Sequence, residues 1–238
     1  MMSGLIAVYR KETKYYFTSW MGYIIILAFL VFMGFFFFNG VLSSQYADMR
    51  TFFNLLPFVF LFFGPAVAMR LIAEEKKLGS IEILLTLPIR DWEVILGKFL
   101  AACTYILFAL ACTWPMPLTI KMLGANDLGP IWSGYFGAFL LGSSFVAVGM
   151  FASSIVKDQV LAFILGVLFS FFLFIMGESF VNSYFPEAIS FVLRKVSLGY
   201  HFAAMSRGVV DTRDVLYFLG MIVLFIHLSV VMLVSRKW

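Results

Sequence analysis

Apolar segments of membrane-spanning length alternate with short polar segments along most of the chain. The apolar segments cover residues 21–42, 55–73, 99–122, 131–155, 159–180 and 215–234. About 20 consecutive apolar residues cross the hydrocarbon core of a bilayer as a helix. The pattern therefore predicts an all-α fold, a polytopic membrane protein with six transmembrane helices.

An amphipathic segment, residues 3–19, precedes the first predicted span. Its basic side chains Arg10, Lys11 and Lys14 project onto one side of a helix. The opposite side carries mostly apolar and aromatic residues: Ile6, Tyr9, Thr13, Tyr16, Phe17 and Trp20. This arrangement is typical of a helix that lies in the membrane interface. Because the segment continues directly into a span, we favour this interpretation over a soluble amphipathic helix.

Composition excludes an ordinary soluble domain. The chain is 63% hydrophobic and 13% charged, with 30 phenylalanines, whereas a soluble domain has about 25% charged residues. The net charge of +4 does not indicate nucleic acid as a partner, because the basic residues cluster at segment ends. Cys103 and Cys112 fall on opposite faces of one predicted helix, so we interpret them as packing residues.

Small residues mark one predicted helix-packing face. Gly134, Ala138 and Gly142 recur every four residues in the span 131–155, and such a stripe allows a second membrane helix to approach closely. Two other spans contain proline. Pro65 is expected to bend the second span, and Pro115 to bend or break the third.

The segment 178–214 mixes charged with apolar residues and is too interrupted to span a membrane. Helical spacing after Pro186, and a glycine stop at Gly208, predict two short helices on the outer face, within 183–210. Asp211 is expected to cap the last span, with Asp214 at the capping-box position.

Basic residues set the orientation. With the N-terminus inside, eleven Lys and Arg residues lie on the cytoplasmic side and six on the outer side. The positive-inside rule thus predicts that both termini are cytoplasmic. The same topology places the polar segment 74–98 in the cytoplasm. We find no internal repeat or linker, so residues 1–238 are predicted to form one membrane domain.

Segment 74–98 contains nine of the chain's thirty charged residues. Gly79 can end one helix, Ser80 can cap the next with Glu82 in its first turn, and Pro88 can stop it. Asp91 can then cap the helix that leads into the third span. The short helix between these signals is largely apolar. Its apolar side chains must therefore be buried against another surface. The residues alone leave two alternatives open, the bilayer surface and a cytoplasmic protein.

A resemblance distinguishes these alternatives. The pattern Glu75-x-x-x-Gly79-Ser80-x-Glu82-x-Leu84-Leu85-x-x-Pro88-x-Arg90, followed by Gly97-Lys98, resembles the cytoplasmic loop of ABC-2 type transporter permeases. It is most similar to the small six-span branch associated with gliding-motility and nitrous-oxide-reductase-maturation transporters. Residues 197–202 and 207–211 add to the resemblance, which extends over the whole chain. Ser80 stands where the family often has Thr.

The resemblance implies that the short helix is a coupling helix held in a groove of a separate ATP-binding subunit. The implied contact residues are Glu74, Glu75, Gly79, Ser80, Ile81, Glu82, Leu84, Leu85, Pro88 and Arg90. The chain lacks a phosphate-binding loop, because Gly97-Lys98 is followed by Phe99. We therefore expect no enzyme activity, catalytic residue, metal site or cofactor in this chain, with ATP and Mg²⁺ on the partner subunit.

The resemblance also implies a second permease chain, with a homodimer expected and a heterodimer as the alternative, in a bacterial cytoplasmic (inner) membrane. The expected function is ATP-driven export. The alternative is transmission of ATP-driven motion to a periplasmic accessory protein through residues 183–210. An ion-coupled carrier would need carboxylates within the spans, and the clear spans supply none. For His227, in the last span, we expect an interhelical hydrogen bond rather than proton transfer.

Overall fold

The computed structural model describes residues 2–44, 49–80, 90–122 and 129–235, and these residues form helices with no strand among them. In chain order the helices are α1 (Met2–Thr18), α2 (Trp20–Ser44), α3 (Arg50–Ala68), α4 (Arg70–Lys77), α5 (Asp91–Cys112), α6 (Pro115–Met122), α7 (Gly129–Ile155), α8 (Gln159–Ile175), α9 (Ser179–Asn182), α10 (Glu187–Val196), α11 (Leu198–Met205) and α12 (Thr212–Val234). The predicted all-α fold class is confirmed.

Five stretches are long and apolar enough to cross a membrane: Trp20–Gly40, Arg50–Lys77, Asp91–Met122, Gly129–Ile155 and Thr212–Val234. They coincide with five of the six predicted spans. The sixth, predicted over 159–180, is the shorter apolar helix α8 of 17 residues. At about 1.5 Å per residue this length lies at the lower limit for a span.

Helix α8 ends earlier than the sequence predicts, at a point where a serine between α10 and α11 binds one of its last carbonyl groups. The Ser197 hydroxyl donates a hydrogen bond to the carbonyl oxygen of Phe174 at 3.0 Å. The same side chain lies against Gly177, where a Cβ atom would be 2.2 Å from Ser197 Oγ. The chain therefore turns after Ile175 and does not continue as a span to residue 180.

Helix α7 is the centre of the bundle, and it packs against α3, α5, α8 and α12. A Cβ atom on Gly134 would lie 2.3 Å from the ring of Phe53, and one on Gly142 would lie 3.1 Å from Ile106. Ala138, between them, is fully buried. These small residues therefore face α3 and α5 at close range.

Helices α2 and α12 lie at the periphery. Only 22% of the most apolar window of α2 and 11% of that of α12 are buried within the chain. Their outer surfaces are available to lipid or to another membrane chain. His227 lies on the exposed side of α12. Among the described residues of this chain His227 forms no hydrogen bond, and the expected interhelical hydrogen bond stays a prediction.

Several predicted helix ends are confirmed. Gly79 and Gly208 both have positive φ, +70° and +100°, just after α4 and α11, where L side chains are strained. The break between α5 and α6 falls at residues 113–114. The start of α3, like the end of α8, differs from the prediction. Helix α3 begins at Arg50 rather than near residue 55, because Phe52 and Phe53 are buried against Tyr135 of α7.

Candidate functional site

The candidate site lies where α1, α4 and the start of α5 meet, at the end of the bundle that carries the segment 81–89. We call this the loop end. Helix α4 leads into that segment and α5 leads out of it, so the two helices are its stems. Helix α1 packs along α5. The close approach depends on Gly97, where a Cβ atom would lie 3.1 Å from both the Leu5 carbonyl oxygen and the Val8 side chain.

Four charged residues join the three helices in a buried charge cluster: Glu12, Arg70, Glu75 and Lys98. Glu12 of α1 lies between the two cations, with Oε1 2.9 Å from Lys98 Nζ and Oε2 3.3 Å from Arg70 Nη2. Lys98 Nζ is also 2.9 Å from Glu75 Oε1. Lys11, at the exposed edge, reaches the same Glu75 oxygen at 3.2 Å. The charge cluster therefore ties both stems to α1.

Burial makes each member of the charge cluster dependent on the others. The side chains of Glu12, Arg70, Glu75 and Lys98 are only 2–12% exposed. Two carboxylates and two cations balance in formal charge. Removing one partner of a buried pair leaves an uncompensated charge, which costs about 3–5 kcal/mol. The arrangement thus holds the stems in a defined geometry more than it adds net stability.

Arg70 is buried against α1, whereas a charged residue near the end of a span usually keeps its charged group in water. Its guanidinium lies 3.5 Å from the ring centre of Tyr15 and 4.6 Å from that of Tyr16. Tyr16 donates a hydrogen bond to the Val67 carbonyl oxygen at 2.8 Å. Burial raises the pKa of Tyr16 above its usual value, and Arg70 partly offsets that rise. The Tyr16 hydroxyl therefore stays protonated and can donate its hydrogen bond to Val67.

Helix α4 is also held from its other side. Lys76 donates to the Ser154 carbonyl oxygen, and Lys77 Nζ lies 3.2 Å from Asp158 Oδ2 in the turn between α7 and α8. Asp158 accepts bonds from the backbone N–H groups of Val160 and Leu161 and so caps α8. The Lys77 hydrogen bond, followed by these two amides, lowers the pKa of Asp158. The stem α4 is thus joined to α7 and to the turn before α8 as well.

The second stem starts differently from the prediction. Asp91 is not the cap of α5 but its first residue, and Arg90 occupies the cap position. The backbone N–H of Arg90 donates to Glu93 Oε2 at 3.3 Å. A glutamate three residues into a helix can reach back in this way, as in a capping box. Glu93 therefore satisfies the N–H group of Arg90 at the start of α5, and the prediction that Asp91 caps this helix is wrong.

The structure describes half of the residues predicted to contact a partner. Glu75 belongs to the charge cluster, and Glu74 Oε2 lies 3.9 Å from Arg70 Nη1. Ser80 Oγ is 3.5 Å from the Glu75 carbonyl oxygen, and Arg90 is exposed. The other predicted contacts lie outside the described residues: Ile81, Glu82, Leu84, Leu85 and Pro88.

The basic residues of α1 lie on its exposed face. Arg10, Lys11 and Lys14 are all exposed, and only Lys11 takes part in the contacts of the charge cluster. The buried face of α1 differs from the predicted aromatic face. It is a stripe with a four-residue repeat, Val8, Glu12 and Tyr16, directed at α5 and α4.

The sequence did not single out Glu12 or Lys98 as a pair. One signal was present, because Glu12 lies four residues before Tyr16 and eight before Trp20, toward the apolar side of an otherwise basic helix. Lys98 stood next to Gly97 at the start of a span. Neither position indicates the other, since 86 residues separate the two along the chain.

A second polar cluster lies at the opposite end of the bundle. His201 Nδ1 is 2.6 Å from Asp214 Oδ1, and His201 Nε2 is 3.1 Å from the Lys195 carbonyl oxygen. The ring stacks on Tyr217 at 3.9 Å, and Tyr217 donates to the Val196 carbonyl oxygen. These side chains from α11 and α12 therefore bind the carbonyl groups at the end of α10. Asp211 caps α12 as predicted, but Asp214 pairs with His201 and does not complete a capping box.

Within the described residues, no group of three or more His, Cys, Asp or Glu side chains is placed to hold a metal ion. Residues 37–235 match the model of a protein family described as ABC-2 family transporter protein. Among curated proteins, none matches this chain.

Proposed function

Because the chain belongs to the ABC-2 family of transporter proteins, we propose that it is the permease subunit of an ATP-driven exporter and is moved by a separate ATP-binding subunit docked on segment 74–98. Membership makes the chain a transmembrane component of an ABC transporter that works with an ATP-binding subunit. The docking position, the direction of transport and the bacterial inner membrane are parts of the proposal. The two-fold dimer and the assignment to the small six-span branch are also parts of the proposal.

The buried charge cluster is the observation that carries this proposal. A partner that pushes on a loop moves a membrane domain only if the loop's stems move together. Glu12 bridges the two stems through Arg70 of α4 and Lys98 of α5, and Glu75 adds a direct contact between them. The stems and α1 therefore form one unit behind the loop, and packed helices transmit such displacements as rigid bodies.

The surface beside the loop is suited to docking. Leu78, the residue after α4, is 72% exposed, and it is followed by Gly79 with its turn conformation. An exposed leucine next to a largely apolar short segment favours burial against a protein partner. The exposed basic residues Arg10 and Lys14 lie on the neighbouring α1 and suit either that partner or lipid headgroups.

An apolar cavity favours a lipid-like substrate over a hydrophilic one. The cavity, about 460 Å³ in volume, lies between α2, α3 and α8. Apolar side chains alone line it, among them Phe29, Phe58 and Phe62. Its volume falls within the range of small-molecule sites, about 300–1,000 Å³. The cavity offers no polar group that would replace the hydration of a charged solute.

The test is co-expression of the chain with the ATP-binding subunit encoded nearest to it, followed by purification and measurement of ATP hydrolysis. Glu82→Lys should weaken association or lower the stimulated hydrolysis several-fold, while Val209→Asp at the other end of the bundle should leave both unchanged. Glu75 is a poor probe because it belongs to the buried charge cluster. Failure of the wild-type chain to associate with any ATP-binding subunit would falsify the proposal.

A second candidate function, transmission of motion to a periplasmic partner without transport, is favoured by the outer end. Phe180, Tyr184 and Phe191 there are 64–73% exposed. His201 and Tyr217 connect their region to α12. Addition of ATP to the complex in liposomes distinguishes the two functions. Transmission predicts displacement of a spin label at position 184 with no movement of labelled lipid, whereas export predicts that labelled lipid moves.

A further inference from the structure

A polar pocket lies between α10 and the start of α11, at the end of the bundle opposite the loop end. Its volume is about 210 Å³, which equals the space of about seven water molecules at about 30 Å³ each. The lining residues are Glu187, Ser190, Phe191, Arg194 and Lys195 of α10 and Tyr200 of α11. The pocket therefore brings two cations, one carboxylate and two aromatic rings together.

The charges of the pocket stand at its two ends. Glu187 is in the first turn of α10, and Arg194 and Lys195 are in its last turn. Residues 187, 191 and 194 follow the spacing of three and four that places side chains on one helix face. Seven residues of helix separate Glu187 from Arg194, a distance of about 10 Å. The carboxylate and the guanidinium thus share one face but start from opposite ends of it.

The three charged side chains of the pocket are exposed, and within the described ranges none of them forms an ion pair. Lys195 Nζ instead lies 5.5 Å from the ring centre of Phe191. The charge cluster at the loop end is different, because its carboxylates lie 2.9–3.3 Å from cations of neighbouring helices. The charged groups of the pocket are therefore available to a ligand that carries both signs of charge.

Two hydrogen bonds fix the level of the pocket relative to the long helices. Ser197, between α10 and α11, donates to the Phe174 carbonyl oxygen in the last turn of α8. Tyr217, in the second turn of α12, donates to the Val196 carbonyl oxygen. The end of α10 therefore lies level with the ends of α8 and α12, where lipid headgroups meet the hydrocarbon core.

The opposite face of α10 is apolar and exposed. Ile189, Val192 and Val196 recur at helical spacing and are 37–58% exposed. A helix with one apolar and one charged face is typical of the membrane interface, where the apolar face lies against acyl chains. Trp114 and Trp132, whose ring centres are 5.7 Å apart at the same end of the bundle, are of the residue type that is enriched in this interface. The pocket therefore lies at the depth of lipid headgroups.

We propose that the pocket binds the headgroup of a phospholipid that carries both a phosphodiester and a primary ammonium group, as phosphatidylethanolamine does. Arg194 and Lys195 bind the phosphate oxygens, for which the guanidinium offers two parallel N–H donors. Glu187, at the other end of the pocket, accepts hydrogen bonds from the ammonium group. A headgroup without a cation leaves Glu187 unpaired, so the pocket distinguishes zwitterionic from anionic lipids. The site does not depend on the proposed function.

The test is native mass spectrometry of the chain purified in detergent and titrated with phosphatidylethanolamine or phosphatidylglycerol. The wild type should bind phosphatidylethanolamine about 2- to 5-fold more tightly, the range that one exposed ion pair provides. Glu187→Gln should remove this preference, and Arg194→Gln should weaken the binding of both lipids by a similar factor. Arg213→Gln, the same change at an exposed position of α12 outside the pocket, is the matched control and should change neither.

Equal affinity of the wild type for the two lipids, or a preference that survives Glu187→Gln, would overturn the site and leave its charged face to a protein partner. Equal weakening in Arg213→Gln and Arg194→Gln would also overturn it, because net charge alone would then explain the effect. Soluble phosphoethanolamine carries the same two charged groups without acyl chains, and it should not displace the lipid at equal concentration. Displacement at equal concentration would identify a soluble phosphate ester as the ligand and overturn the lipid.

Discussion

Glu12 is the residue on which the loop end depends most, because it is the only described carboxylate that contacts cations of both stems. Glu12→Gln should leave Arg70 and Lys98 short of negative charge in a buried setting, a loss of about 3–5 kcal/mol in stability. Thermal unfolding in detergent, followed by size-exclusion chromatography, measures the change. Lys14→Gln, on the exposed face of the same helix, is the control and should change little. Equal midpoints for the two variants would contradict the role of the charge cluster.

The contact between Lys77 and Asp158 has a defined pH dependence. The pKa of Asp158 is lowered in the folded chain. Its contribution to stability is therefore fully present above the ordinary Asp pKa of about 3.9 and is lost as pH falls through the lower folded value. The difference in unfolding midpoint between the wild type and Asp158→Asn should stay constant from pH 8 to pH 5 and shrink only below pH 4. A difference that changes between pH 8 and 5 would exclude this assignment.

At the scale of residues, the sequence predicts a role correctly where the residue acts on its neighbours in the chain. Gly79, Gly208 and Asp211 act on their own neighbours, and their predicted roles as helix stops and as a cap are confirmed. The capping-box role predicted for Asp214 was wrong because its partner, His201, lies on another helix. Arg70 pairs with Glu12 across 58 residues, and no local pattern reveals that contact. The predicted contacts within 81–89 remain predictions.

At the scale of helices, the spans were predictable because hydrophobic length alone defines them. The ends of the spans were less predictable. Helix α3 starts earlier than predicted, where Phe52 and Phe53 pack against Tyr135, and α8 ends earlier than predicted, where Ser197 binds the Phe174 carbonyl oxygen. The contact of Ser153 of α7 with the Met69 carbonyl oxygen was not predicted. That contact joins two helices 84 residues apart in sequence.

The close packing of α7 gives a prediction at the same scale. Gly134→Ala should place a methyl group 2.3 Å from the Phe53 ring, and such overpacking costs about 1–3 kcal/mol. Gly220→Ala in α12 makes the same chemical change where no atom lies within 4 Å, so it should not destabilise the protein. Thermal unfolding of both variants measures the contrast. A stable Gly134→Ala protein would mean that α3 and α7 are farther apart than described.

At the scale of the whole molecule, polar clusters at the two ends of the bundle connect α1 at one end, and α10 and α11 at the other, to the long helices. The charge cluster joins α1 to both stems at the loop end, and His201 of α11 joins α10 and α12 at the other end. Between them lie apolar helices, with α2 and α12 exposing most of their surface. This arrangement suits a subunit that receives force at one end and needs lipid or a second chain around it.

The most direct test of the central claim is a photocrosslinking amino acid at position 78, beside the loop, in the chain co-expressed with ATP-binding subunits. Position 209 is the control, because Val209 is 61% exposed and lies next to α11, at the opposite end of the bundle. We predict that position 78 forms a crosslink to a polypeptide that mass spectrometry identifies by its phosphate-binding loop, and that position 209 does not. A crosslink to that polypeptide from position 209, or none from position 78, would contradict docking at the loop end.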